Sequence, residues 1–261
     1  MSISNAEKVK EAKKILRNTA KEVPPIYSYI LSERFLGNIH IKIETPKTRG
    51  ITYKLLKLKN EGKRGIIYCD SECIKCISHL EPELLSRLTI IIPNGVTPPT
   101  PLEGIKLLKG KKGHKEDIES AMEISKKEGL EYIDFYEDMD IIYGYGTVAL
   151  EFLRDEKSLE MIIVPVRHGR LLSGIGIFTK EILPQVKVIG AYRKKNLNKV
   201  TSYLIERYTD GIYPVSEGAI EEAKMLYIKE FKKEPKEEIL SLSLLIEGKV
   251  PTKNKSIGLI L

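Results

Sequence analysis

Two stretches of this chain place reactive residue types at spacings that suit chemistry. Cys69, Cys73 and Cys76 follow a C-x3-C-x2-C pattern, at which three thiolates can share one iron–sulfur cluster. A helix across residues 72 to 76 would instead put Cys73 and Cys76 on one face as small core residues. Three clustered cysteines also make a poor disulfide framework, so reduced structural thiols are the expectation. His40, His79, His114 and His168 are scattered, and no metal site is expected. His40 should point outward from its strand. The second stretch is Arg167-His168-Gly169-Arg170, directly after the apolar run at residues 161 to 166. Arginine pairs bidentately with phosphate, and a helix starting near Leu171 would add its positive end. That combination suits a small anionic metabolite.

The elements that must position these residues alternate between strand and helix. Residues 6 to 17 repeat apolar positions at helical spacing, and Ile39, Ile41 and Ile43 alternate with polar residues as a strand does. Residues 65 to 68, 88 to 92, 130 to 135, 186 to 191 and 257 to 261 read as further strands, with 105 to 108 as another. Helices are expected at 31 to 36, around Leu55 and Leu58, and at 72 to 86, 117 to 128 and 147 to 153. Others are expected at 171 to 182, 217 to 232 and 238 to 245. The run at 161 to 166 is apolar on both faces, as in a parallel sheet covered by helices on each side. The expected fold is therefore α/β, with two domains that each hold a mostly parallel sheet flanked by helices. The larger comprises residues 1–65 and 137–261, the smaller 66–136.

Several segments, in order, resemble the threonine dehydratase and serine racemase family, the fold type II enzymes that use pyridoxal 5'-phosphate. They are Leu31-Ser32-Glu33-Arg34, Ile41-Lys42-Ile43-Glu44, Tyr145-Gly146-Thr147 through Glu151, and residues 162 to 176 running into Val188-Ile189-Gly190. The resemblance implies that Lys54, in Thr52-Tyr53-Lys54, is the Schiff-base lysine. It also implies cofactor contacts from Ser71 and Cys73, in the segment matching the family's Ser-Ser/Ala-Gly-Asn-His turn. Arg167, His168, Gly169 and Arg170 match the glycine-rich phosphate loop, and homodimers are common in the family.

The departures are equally specific. Asp70-Ser71-Glu72-Cys73-Ile74 lacks the glycine, asparagine and histidine of the ring-oxygen turn. One glycine survives in the phosphate loop, where backbone N–H groups need close approach to the anion. The chain stops at Leu261, where the family's Ser-Gly-Gly-Asn turn begins. Losses at three contacts imply a degenerate dehydratase without efficient catalysis that retains an anion or small-molecule site. The alternative is an active ammonia-lyase for serine or threonine that uses Lys54.

Bulk properties narrow the class. The chain has 261 residues and a formal charge of +7 from 43 basic and 36 acidic side chains. Lysines and glutamates alternate instead of clustering, so no nucleic-acid partner is expected; residues 106 to 115 are the one basic stretch. No apolar run is long enough to span a bilayer. The N-terminus reads as an amphipathic helix and not a secretory leader, so the expected location is cytoplasmic. A single glutamine, Gln185, amid abundant Ile, Lys and Glu suits a hot environment.

Overall fold

The computed structural model describes residues 3–44, 48–98, 105–110, 113–235 and 239–261. In chain order its elements begin with α1 (Asn5–Leu16), β1 (Ile26–Tyr27), α2 (Tyr29–Phe35), β2 (Asn38–Lys42) and α3 (Arg49–Asn60). Next come β3 (Gly65–Tyr68), α4 (Ser71–Ile77), α5 (Pro82–Leu85), β4 (Leu88–Ile92), β5 (Lys106–Lys109), α6 (His114–Glu128) and β6 (Glu131–Ile133). Then follow α7 (Met139–Asp155), β7 (Met161–Pro165), α8 (Arg170–Ile182), β8 (Lys187–Tyr192) and α9 (Lys199–Tyr208). The last are β9 (Ile212–Pro214), α10 (Glu217–Phe231), α11 (Leu240–Ile246) and β10 (Ser256–Ile260).

These elements fall into two compact units, residues 1–11, 21–45 and 145–261 in the first and 12–20 and 46–144 in the second. The first unit holds a six-stranded sheet in the order β1-β2-β10-β7-β8-β9. The second holds a four-stranded sheet in the order β5-β4-β3-β6. Among the described residues every pairing is parallel except β1 with β2. The α/β class with mostly parallel sheets, expected from the apolar run at residues 161 to 166, is the class observed.

Burial explains the pattern. In β7, Met161, Ile162, Ile163 and Val164 are all buried, so the strand is covered on both faces. One face carries a core of Ile39, Ile41, Ile163, Leu259 and the α11 residues Leu242 and Leu244. In the second unit Ile66, Ile91 and Ala121 form the corresponding centre. Its edge strand β5 carries Lys106 and Lys109, and Lys106 pairs with Glu128 at 2.8 Å. Lysines on an edge discourage pairing with foreign strands.

Several boundaries differ from expectation. The helix read at 72 to 86 is two helices, because Ser78 ends α4 and Pro82 opens α5 at its first turn. α7 starts at Met139, eight residues before Thr147, since Gly144 and Gly146 do not interrupt it. Strands β1 and β9, with two and three residues, are too short to show a period. Helix α9 escaped notice although Asn198 and Thr201 form a full capping box at its start. His40 is buried and not outward, with Nδ1 3.1 Å from Glu156. The Tyr27 ring packs against His40, 5.3 Å between centres, so this face of β2 is covered as well. Burial lowers the His40 pKa, and the Glu156 carboxylate offsets part of that.

Candidate functional site

The loop after β7 belongs to the first unit. Gly169 caps α8 at φ 84°, a left-handed conformation that suits glycine. A Cβ at this position would lie 2.9 Å from Ile205, Leu197 and Thr201. The surviving glycine is thus required by packing against α9, whatever the loop binds. Gly169→Ala is expected to destabilise the protein by about 1–3 kcal/mol, read as a lower midpoint in urea. An unchanged midpoint would show that the glycine serves only a ligand.

The two arginines of the loop differ in surroundings. Arg167 is exposed, and its carbonyl accepts the Asn196 N–H at 2.7 Å. Arg170 is buried as the first residue of α8, its guanidinium 5.9 Å from the centre of the Tyr145 ring. His168 is half-buried between them in sequence. Side chains of this size stand where a phosphate loop of the glycine-rich kind presents bare amides.

Lys54 lies on α3 in the second unit, with its side chain 8% exposed. Its Nζ is 3.1 Å from Asp138, 3.2 Å from Asp140 and 3.4 Å from Glu131. Lys57 joins from the next turn, 2.9 Å from the other oxygen of Asp140. Burial alone would lower the Lys54 pKa, but the charges and hydrogen bonds of Asp138 and Asp140 outweigh it and hold the amine above the ordinary lysine range. The surplus of negative charge acts on the carboxylates as well. Asp138 is raised above its usual range, by burial first, with Lys54 opposing. The group is a buried ammonium in an acidic cage. None of the three acids was singled out from the sequence, although Tyr136-Glu137-Asp138-Met139-Asp140 is an evident acidic run.

Ser71 and Cys73 also lie in the second unit, at the start of α4. Asp70 caps this helix, accepting the N–H groups of Glu72 at 3.0 Å and Cys73 at 2.9 Å. The Tyr136 hydroxyl braces the same carboxylate at 2.7 and 2.8 Å. The free amides of this turn are therefore occupied by the chain's own acid. Ser71 is exposed, whereas Cys73 is fully buried and joined to Cys69 in a disulfide. The expectation of reduced thiols is corrected for that pair. Their four-residue separation brings the sulfurs together as the chain enters α4.

The segments that carried the resemblance in the first unit meet in its interior. Lys42 of β2 and Glu151 of α7 form an ion pair at 3.0 Å with both side chains fully buried. Lys42 also donates to the Val23 carbonyl at 2.7 Å. This pair serves the fold, since it lies within packed elements.

Comparison with known proteins matches this architecture. Residues 100–219 match a family model described as pyridoxal-phosphate dependent enzyme. An L-threonine ammonia-lyase from Thermotoga maritima is 29% identical over 213 residues, which are 75% of this chain and 52% of that protein. A biosynthetic L-threonine dehydratase from Lactococcus lactis is 26% identical over 80% of this chain and 57% of its own length. Among solved structures, serine racemase from Dictyostelium discoideum superposes with a TM-score of 0.83 at 19% identity, covering 99% of this chain and 97% of that one. The processed form of threonine deaminase isoform 2 from Solanum lycopersicum gives 0.72 at 21%, over 97% and 84%. The fold is that of the fold type II pyridoxal-phosphate enzymes. In sequence the chain is similar to threonine dehydratases, and it spans roughly half the length of the curated relatives it matches.

Proposed function

We propose that this chain is a degenerate threonine/serine dehydratase-like protein, without efficient catalysis, that keeps a small-anion site at Arg167, His168 and Arg170. The observation that carries the reading is the cage around Lys54. An amine that attacks an aldehyde must spend time neutral, and Asp138, Asp140 and Glu131 stabilise the charged form instead. The remaining residues fit pyridoxal phosphate no better. The helix start at Asp70 is self-capped, and the loop at 167–170 offers guanidinium groups in place of a ring of backbone amides. Those guanidinium groups are the chemistry that suits a free anion.

A second reading, an active ammonia-lyase acting on threonine or serine through Lys54, draws support from the activity named for the Thermotoga maritima relative. Two assays separate the readings. Incubation with pyridoxal phosphate and threonine or serine is expected to release no 2-keto acid above a no-protein control. Titration with inorganic phosphate is expected to show saturable binding that weakens severalfold in Arg167→Ala. Keto-acid formation abolished by Lys54→Ala would establish the lyase instead, and phosphate binding indifferent to Arg167 would remove the anion site.

A further inference from the structure

Two exposed tyrosines, one in β1 and one opening α2, pack together. Tyr29 is 80% exposed and Tyr27 38%, with ring centres 4.9 Å apart and planes at 78°. They line a cleft of about 370 Å³ together with Glu33, Leu36, Asn38 and Asn254. All of these belong to the first unit. The Asn38 end of β2 and the approach to β10 mark the edge of the sheet where its parallel strands begin. The Arg167 loop sits at the edge where β7 ends, so the cleft is separate from the anion site.

The floor of the cleft is built by backbone, and the tyrosine and glutamate side chains rise from it. Leu36 and Asn254 both adopt left-handed conformations, at φ 53° and 57°. The Asn254 N–H donates to the Leu36 carbonyl at 2.7 Å, and the Asn38 N–H to the Lys255 carbonyl at 2.8 Å. A Cβ on Gly37 would fall 2.4 Å from the Thr252 carbonyl oxygen, so these two turns approach as closely as chains can. A floor fixed this way is formed before any ligand arrives.

Its chemistry is that of a cation receptor. The face of an aromatic ring attracts positive charge; Tyr29, the more exposed of the two, offers such a wall, while the Tyr27 ring also packs against His40 with 5.3 Å between centres. Two neighbouring cations are already engaged: Arg34 pairs with Glu222, and Lys255 with Glu160 at 2.7 Å. Glu33 has no ion-pair partner among the described residues, in a protein whose net charge is +7. An exposed carboxylate lining the same cleft as the two tyrosines favours a ligand that brings its own positive charge. A bulky, weakly hydrated cation gains most from such walls, because it loses little water on entering.

We infer that the cleft formed by Tyr27, Tyr29 and Glu33 binds a small molecule carrying a quaternary ammonium group. The test uses choline and its uncharged analogue 3,3-dimethylbutan-1-ol, which has the same shape, titrated into the full chain by calorimetry or by ligand-observed NMR. Choline is expected to bind saturably, and the neutral analogue at least about tenfold more weakly. Tyr29→Ala, at an exposed position that spares the fold, should weaken choline about threefold to tenfold. Glu33→Gln should weaken it less while leaving the residual binding of the neutral analogue unchanged. Equal affinity for choline and the alcohol, or choline affinity unaffected by Tyr29→Ala, overturns the inference. Absence of choline binding overturns it as well.

Discussion

Replacing Lys42 by alanine is expected to lower the stability of the protein by about 3–5 kcal/mol, because it leaves the Glu151 carboxylate buried without its cation. The mutation also forfeits the bond to the Val23 carbonyl, which ties the approach to β1 against β2. Removing both charges at once tells a different story. A buried ion pair loses much of its Coulomb energy to desolvation, so the double variant Lys42→Met, Glu151→Leu should recover most of the loss. Urea denaturation of the three proteins measures this directly. A single variant within about 1 kcal/mol of the parent would mean that water reaches the pair, contrary to its full burial.

The second large effect concerns the reactivity of Lys54. An amine whose pKa is raised stays protonated, and so unreactive, at pH values where ordinary lysines begin to lose their proton near about 10.4. Pulse acetylation at pH 9 is therefore expected to modify exposed Lys157 readily and Lys54 hardly at all. Asp138→Asn with Asp140→Asn removes the carboxylates that dominate the cage and leaves the burial, which acts in the opposite direction. Each unit by which the amine then falls multiplies its neutral fraction about tenfold. Lys54 labelling should rise by at least that factor while Lys157 labelling stays constant. The same shift has a consequence for stability. With its folded pKa raised, the Lys54 contribution is fully present below the unfolded lysine value and is lost only as pH climbs through the higher folded one. Alkaline unfolding should accordingly begin at lower pH in the double variant. Equal labelling of Lys54 and Lys157 in the parent protein would contradict the cage.

The strands that position the site were legible wherever their burial was uniform or strictly alternating. β7 was evident from four consecutive buried apolar residues, and β2 from its alternating isoleucines. The same alternation misplaced His40, because period alone says which residues share a face and not whether a second layer covers the other one. β1 and β9 were invisible because their pairing comes from neighbours brought together by the fold. Within the candidate site, Lys54 was found through the resemblance, and the 167–170 loop through both the resemblance and its two arginines. Asp138, Asp140 and Glu131 were not, since each lies 77 or more residues from Lys54 in sequence. An acidic run of ordinary appearance acquires meaning only when folding sets it around a buried amine. The Asp70 cap was more accessible to reading: an aspartate followed by a short helix is a common start signal, and it competes with any ligand for the same amides.

The most direct test of the account is the fate of Lys54 in the presence of pyridoxal phosphate. The chain is incubated with the cofactor, reduced with borohydride, digested and mapped by mass spectrometry, beside Lys54→Ala. The peptide holding Lys54 is expected to carry no phosphopyridoxyl mass, and the two proteins should show the same low labelling of exposed lysines and no imine absorbance. Stoichiometric modification at Lys54, with an absorbance band that the alanine variant lacks, would contradict the reading of this residue as a caged ammonium.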